Sequence, residues 1–326
     1  MRRQENITRR GFFGKAGGLV IGAGIMPRLG AAADDAGAKK WPLAVRDVHL
    51  KETGEKDSWA AMKSLGVEGA EVEVNRDFTC PNLYAPAKKY SIGTGEQIEA
   101  LTADLQTHKL QIPAFCLHNR FDENPEEEIA WTLSVARAAQ KLGVNVIRID
   151  VVPRRLSGED FFRFAVETCK RLVGESEKTG VRFGIENHGG TTNQVEFLER
   201  LFDAVGSQRL GLTLDVANFY WFGYPLDELY GIYRRLAKRA FHTHCKSIAY
   251  PKEMQNTKRS LGWEYGKYNC PIYEGDIDFK MVLDILRGAG YDGALCIENE
   301  SLSKLPEPER ANVLKREVRF LRELLS

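Results

Sequence analysis

The sequence predicts an α/β fold of one kind, a closed (β/α)8 TIM barrel, and three observations predict it. Short apolar runs alternate with amphipathic helical stretches from residue 43 to the end of the chain. Such alternation implies parallel strands joined by helical crossovers. Eight units of this kind fit the roughly 250 residues that a barrel takes. Four of the runs stop abruptly at residues able to ligate a metal: Glu186, Asp215, the pair His242 and His244, and Glu298. In a barrel the C-terminal strand ends form the mouth, where the chemistry is done. An open doubly wound sheet would carry a Gly-rich phosphate turn after its first strand, and residues 43–54 have none.

Taken in order, the first strand is expected at 43–50. Ser58 caps a short helix over 59–65, which Gly66 ends. The second strand, 70–74, puts Glu71 and Glu73 on one face, either lining a pocket or pairing with Arg46 or Arg148. A loop rich in Pro, Asn and Tyr runs to Gly95. The helix over 96–110 has Ile98, Leu101 and Leu105 at helical spacing, and a third strand over 112–117 ends at His118. The helix over 126–142 has acids in its first turn, Lys141 in its last and Gly143 after it, which suits the helix dipole. The fourth strand is expected at 144–152 and the next helix at 160–179.

The fifth strand is the apolar stretch that ends at Glu186. Alternation puts Gly184, Glu186 and His188 on one side and Phe183, Ile185 and Asn187 on the other. A helix over 194–205, a sixth strand over 210–215, a helix over 225–239 and a seventh strand over 240–246 follow. Residues 247–278 form a long loop with Trp263, Tyr265, Tyr268 and Tyr273. Loops of this length inside a domain are usually functional or disordered, and the aromatics favour a lid. A helix over 279–289, the eighth strand over 294–297 and a closing helix over 306–325 complete the count.

The chain has 326 residues, 43% of them hydrophobic, enough for a sizeable core. No apolar run reaches the ~18 residues of a membrane span without Gly, Pro or charge. Residues 1–33 read as an export signal and not as part of the fold. Thr8-Arg9-Arg10-Gly11-Phe12-Phe13-Gly14-Lys15 is a twin-arginine pattern, a Gly-rich apolar run follows, and Ala31-Ala32-Ala33 offers a cleavage site. A periplasmic or otherwise exported body, 43–326, behind a flexible linker at 34–42 is the expected organisation. The signal holds six basic residues and one acid, so the 46 basic and 45 acidic residues of the chain leave the body at −4. A mildly acidic body is a poor partner for nucleic acid. None of the six cysteines forms a CxxC pair, which argues against a zinc–cysteine site. Cys116, Cys245 and Cys296 lie in strand runs and read as buried thiols.

Three carboxylates brought together repel and partly protonate unless a cation relieves them. Two or three carboxylates with one imidazole suit Mn²⁺, Mg²⁺ or Zn²⁺, and the oxygen-rich set leans toward Mn²⁺, with Co²⁺ a further candidate.

Several motifs carry a family resemblance over the whole body from about residue 43. They are Ile185-Glu186-Asn187-His188-Gly189-Gly190, Leu214-Asp215-Val216-Ala217-Asn218, His242-Thr243-His244-Cys245-Lys246, Gly275-Asp276-Ile277-Asp278-Phe279, Gly290-Tyr291-Asp292-Gly293 and Ile297-Glu298. Together they resemble the sugar phosphate isomerase/epimerase family, the xylose isomerase-like barrels. The resemblance implies one divalent metal on Glu186, Asp215, His244 and Glu298. It selects His244 over His242, because His244 precedes the Cys-Lys pair. The chain departs from the family pattern at Ser247, where the family often has Asp, and at Asn218, where some relatives place a His.

The implied function is a metal-dependent sugar isomerase or epimerase working through an enediolate, with Glu186 and Glu298 moving the proton. His118, His188, Asn218 and Lys246 are read as substrate contacts, and the partner is a small carbohydrate. A lyase or hydrolase of 3-keto-glycosides is the first alternative, supported by the export signal. An abasic-site endonuclease shares the barrel but needs more histidines than the six present. A barrel that binds sugar without catalysis is the remaining alternative, and a homo-oligomer is left open.

Overall fold

The computed structural model describes residues 41–326. The twin-arginine segment at 1–33, and the expected linker up to residue 40, lie outside the described residues. Trp41, expected in that linker, is buried. Its indole N–H donates to the Tyr291 carbonyl at 2.9 Å, and the two rings meet edge to face.

The described residues contain strands β1 (Leu43–Arg46), β2 (Gly69–Glu73), β3 (Thr79–Ala85), β4 (Lys88–Ser91), β5 (Phe115–Cys116), β6 (Val146–Ile149), β7 (Arg182–Glu186), β8 (Leu210–Asp215), β9 (Ala240–Cys245), β10 (Ser247–Ile248), β11 (Asn269–Cys270) and β12 (Leu295–Ile297). Eight of them close into a barrel in the spatial order β1-β12-β9-β8-β7-β6-β5-β2. Every pair in the barrel is parallel. Strands β6, β8, β9 and β12 are buried along their whole length, as expected where both faces are covered. The register pairs Asp215 with His244 and Glu186 with Thr213, so the ligand candidates stand near one level at the C-terminal end.

Several boundaries differ from the sequence reading. The first strand stops at Arg46, and Asp47–Thr53 turns into a 3-10 helix. There Asp47 accepts the Glu73 amide at 2.9 Å and His49 accepts the Asn299 amide at 3.1 Å, which draws the chain over the barrel end. The cap of the first helix is Asp57, whose carboxylate accepts the Ala60 amide at 2.7 Å. Ser58 instead accepts the Tyr84 amide at 2.9 Å. The expected loop after β2 contains the hairpin β3–β4. A short helix, Asn218–Phe222, precedes Leu226–Leu236.

The long loop is also structured. Strands β10 and β11 pair antiparallel, and short helices occupy Lys252–Gln255 and Tyr265–Tyr268. Arg259 pins it down, donating to the Tyr220 carbonyl at 3.1 Å and the Tyr224 carbonyl at 2.8 Å. Trp263 stacks on Tyr268 inside the loop, and Tyr273 lies under Arg316 of the closing helix (Glu307–Leu325). All six cysteines are free thiols. Among the described residues no helix is long and apolar enough to cross a membrane.

Candidate metal centre and its pocket

Glu186 ends β7, Asp215 ends β8, His244 is the penultimate residue of β9, and Glu298 follows β12. One ligand atom from each lies within 4.8 Å of the others. His244 Nδ1 is 3.2 Å from Glu186 Oε1, 3.3 Å from Glu298 Oε2 and 4.0 Å from Asp215 Oδ2.

The other atoms of these residues are held. Asp215 Oδ1 accepts the amides of Ala217 and Asn218 at 2.8 and 2.9 Å, which leaves Oδ2 facing the set. Asn187 closes the same strand end, donating to the Asp215 carbonyl and accepting its amide, both at 2.9 Å. Glu186 Oε2 is held by the Arg148 guanidinium, whose Nε lies at 2.6 Å, while Asn218 Nδ2 donates to Oε1 at 3.2 Å. Glu298 Oε1 accepts from Arg46 at 2.7 Å.

Charge explains the protonation of the set. Burial pushes the Asp215 carboxyl up, against the pull of Lys246. Burial acts the same way on Glu186 and Glu298, but Arg148 and His244 hold the first below its usual range, and Lys246 and His244 the second. Burial would lower His244, yet Glu71, Glu298 and Glu186 raise it well above an ordinary imidazole.

Asp215 Oδ2 and Glu298 Oε2 are buried without a hydrogen-bond partner. The Lys246 ammonium comes within 2.9 and 3.3 Å of them but lacks hydrogen-bond geometry. Buried carboxylate oxygens that accept no hydrogen bond are costly, and a divalent cation at their common point would satisfy them. The donor set, three carboxylates and one imidazole nitrogen, suits such an ion.

The set opens into a cavity of about 340 Å³, near the lower end of ligand-site sizes and large enough for a single sugar unit. His118, His188, Asn218 and Lys246 all line it, together with Arg46, Arg148, Trp221, Tyr265 and Glu300. His118 and His188 are half-exposed at the rim. Their Nδ1 atoms lie 3.5 and 3.3 Å from the two oxygens of Asp150, a buried carboxylate. Lys246 also pairs with Glu300 at 2.8 Å, and the Tyr265 hydroxyl donates to Glu300 at 2.7 Å. Of the four aromatics expected in a lid, only Tyr265 lines the cavity.

Arg46 pairs with Glu71 and Glu73, as the sequence allowed. Arg148 pairs with neither and goes to Glu186 and Asp150. Asp150, Trp221, Glu300 and the part played by the two arginines were missed. An arginine inside an apolar strand run was the available signal, since a buried guanidinium requires an anionic partner. His242 does not reach the set and bonds Glu71 instead, at 3.3 Å.

The profile of the xylose isomerase-like TIM barrel family matches residues 59–324. The inosose dehydratase of Clostridium perfringens is 25% identical over 155 residues, 46% of this chain and 51% of that protein. The chain thus matches about half the length of its curated relatives. Among solved structures, the IOLI protein with a bound zinc atom superposes with a TM-score of 0.65 at 17% identity, over 86% of this chain and 97% of that one. The 3-keto-D-glucoside 4-epimerase of E. coli, in its apo form, superposes at 0.60 with 13% identity, over 87% and 99%. At these identities the structural likeness is one of fold.

Proposed function

Because the chain belongs to the xylose isomerase-like TIM barrel family, we propose that it is a divalent-metal-dependent sugar isomerase or epimerase. Its reaction would move a proton on the carbon beside a carbonyl. The observation that carries this reading is the convergence of Glu186, Asp215, His244 and Glu298 on one point beside a sugar-sized cavity that Glu186 and Glu298 line. A divalent cation bound there, Mn²⁺ by the donor set or alternatively Mg²⁺, Zn²⁺ or Co²⁺, would act as a Lewis acid on the carbonyl and contribute several kcal/mol.

The remaining work falls to side chains. Glu186 and Glu298 stand at opposite ends of the arc β7-β8-β9-β12, so their carboxylates flank a bound carbon from two sides. One removes the proton and the other returns one to the opposite face, a general-base contribution of about 10²–10⁴-fold. Arg148 and Arg46 fix the orientation of the two carboxylates. Lys246 and Asn218 present donors toward the substrate oxygens. His118 and His188, steadied by Asp150, contact hydroxyls at the rim.

A lyase outcome is the second reading. The dehydratase relative favours it, and so does an Asp150-backed imidazole at the rim, which could protonate a leaving oxygen. The test is a panel of free sugars and 3-keto-glycosides incubated with metal-loaded protein in deuterated water, read by mass spectrometry. Deuterium in recovered substrate or epimer is expected. An unsaturated or cleaved product selects the lyase, and a panel that gives neither exchange nor product with any member overturns both.

Export by the twin-arginine pathway is also proposed, on the sequence of residues 1–33 alone. A periplasmic chain starting near Asp34, retained in the cytoplasm by Arg9→Lys with Arg10→Lys, is the expected result. A cytoplasmic chain that still begins at Met1 would overturn it.

A further inference from the structure

Beneath the four-residue set lies a layer of buried polar side chains to which the proposed reaction gives no role. Glu71, in the middle of β2, is wholly buried, as are His242 and His244. Glu71 Oε2 lies 2.6 Å from His244 Nε2 and 3.3 Å from His242 Nε2. Cys296 Sγ and Arg46 Nε approach the same oxygen at 3.6 and 3.7 Å. His244 therefore faces two groups of acids. Its Nε2 meets Glu71, and its Nδ1 meets Glu186, Asp215 and Glu298.

An imidazole ligates through a nitrogen that carries no proton, and the bond made by the other nitrogen decides which one that is. An ionised carboxylate only accepts hydrogen bonds. Both ring nitrogens face carboxylates, but the 2.6 Å bond of Nε2 to Glu71 is shorter than the 3.2 Å contact of Nδ1 with Glu186, so a cation that displaces one proton takes it from Nδ1. The same bond fixes the ring plane. A buried carboxylate is expensive unless paired, and Arg46 and His242 lie against this one.

We propose that Glu71 is the positioning residue of the metal centre. It holds His244 Nε2–H and so aims Nδ1 at the point shared by Glu186, Asp215 and Glu298. The inference rests on the metal reading above and adds a residue that does not touch the ion. Glu71, His242 and His244 also lie close enough to share an ion of their own. The adjacent Arg46 guanidinium opposes a second cation there, since like charges at this distance repel strongly in a buried site.

The experiment measures metal affinity and stoichiometry by chelator competition and elemental analysis on wild type, Glu71→Gln and Glu71→Asp. Unfolding of each metal-free protein is followed in parallel. The expected result is one ion per chain throughout, with affinity about 10–100-fold weaker in Glu71→Gln and partly restored in Glu71→Asp. A wild type that takes up no ion overturns the metal reading, and this inference with it. A wild type that loads normally, with Glu71→Gln within twofold of its affinity, overturns this inference alone. Two ions in the wild type, one of them lost in Glu71→Gln, also overturn it by making Glu71 a ligand. A wild-type measurement keeps the inference testable should the variants not fold. In ¹⁵N-histidine-labelled, Zn²⁺-loaded protein, the His244 shifts should show a protonated Nε2 and a metallated Nδ1. The reverse assignment overturns it.

Discussion

Strands β7, β8, β9 and β12 form one contiguous half of the barrel, and β6, β5, β2 and β1 form the other. The first half supplies Glu186, Asp215, His244 and Glu298, each at or next to a strand end. The second supplies Arg148 and Arg46, which grip the first half from the flanking strands β6 and β1, Glu71, which holds it from beneath, and Asp150, which pairs with Arg148. The first half is anionic and convergent, three carboxylates and one imidazole meeting at one point. In the second half each of these charges has an opposite partner or a histidine beside it. The contrast teaches that a convergent acid cluster needs a wall of fixed partners, because carboxylates in a low-dielectric site keep neither charge nor direction unaided.

The largest expected effect falls on the ligand half. Asp215→Asn and His244→Ala should each lose most bound metal while the barrel stays folded, exceeding the roughly 10–100-fold loss expected of a partner outside the set. Elemental analysis with circular dichroism checks this, and full activity of metal-free wild type would sink it. Next come Glu186→Gln and Glu298→Gln. Each keeps a ligating oxygen but loses basicity, so kcat should fall about 10²–10⁴-fold with KM less affected. Deuterium exchange should tell the two apart: one variant would still exchange substrate without making epimer, and the other would exchange only product. Near-wild-type turnover in both would shift proton transfer to Lys246 or a histidine.

The supporting half is broken by Arg148→Met, which leaves Glu186 and Asp150 buried without their guanidinium. Loss of a buried ion-pair partner costs about 3–5 kcal/mol, read by denaturant unfolding of metal-free protein. Added metal should recover part of it, since a cation compensates Glu186. Equal stability of variant and wild type would mean that the halves do not depend on each other.

The smallest effect lies outside both halves. Glu317, in the closing helix, is buried and accepts the Ile272 amide of the long loop at 3.0 Å, and burial raises its carboxyl to about 8. Below an unfolded value near 4.5 both states are protonated, so the group contributes nothing. As the pH rises from there to about 8, the unfolded chain ionises and the folded one does not, so stability falls across that window. Glu317→Gln should remove the fall and be more stable by about 1 kcal/mol or more at pH 8, with no gain at pH 4. Parallel pH profiles of the two proteins would contradict this.

The alternation of apolar runs with amphipathic stretches determined the barrel, because parallel strands covered on both faces must be apolar and need helical crossovers. Local chemistry also marked Glu186, Asp215, the pair His242 and His244, and Glu298 as candidates, since a ligating residue that ends a buried run stands out in one dimension, and the family resemblance selected His244 of the pair. The sequence did not determine which residues oppose them. Arg148 lies 38 positions before Glu186, Glu71 lies 173 before His244, and Arg46 lies 252 before Glu298. No periodicity links positions so far apart. Laying β6 against β7, closing β1 onto β12 and turning Glu71 inward decided those pairs. The long loop's short strands were equally invisible, because β10 pairs with β11 across the intervening loop, which Arg259 ties to the segment around Tyr220. Local pattern sets what an element is, and the physical reason it stops there is that pairing across the barrel depends on three-dimensional closure.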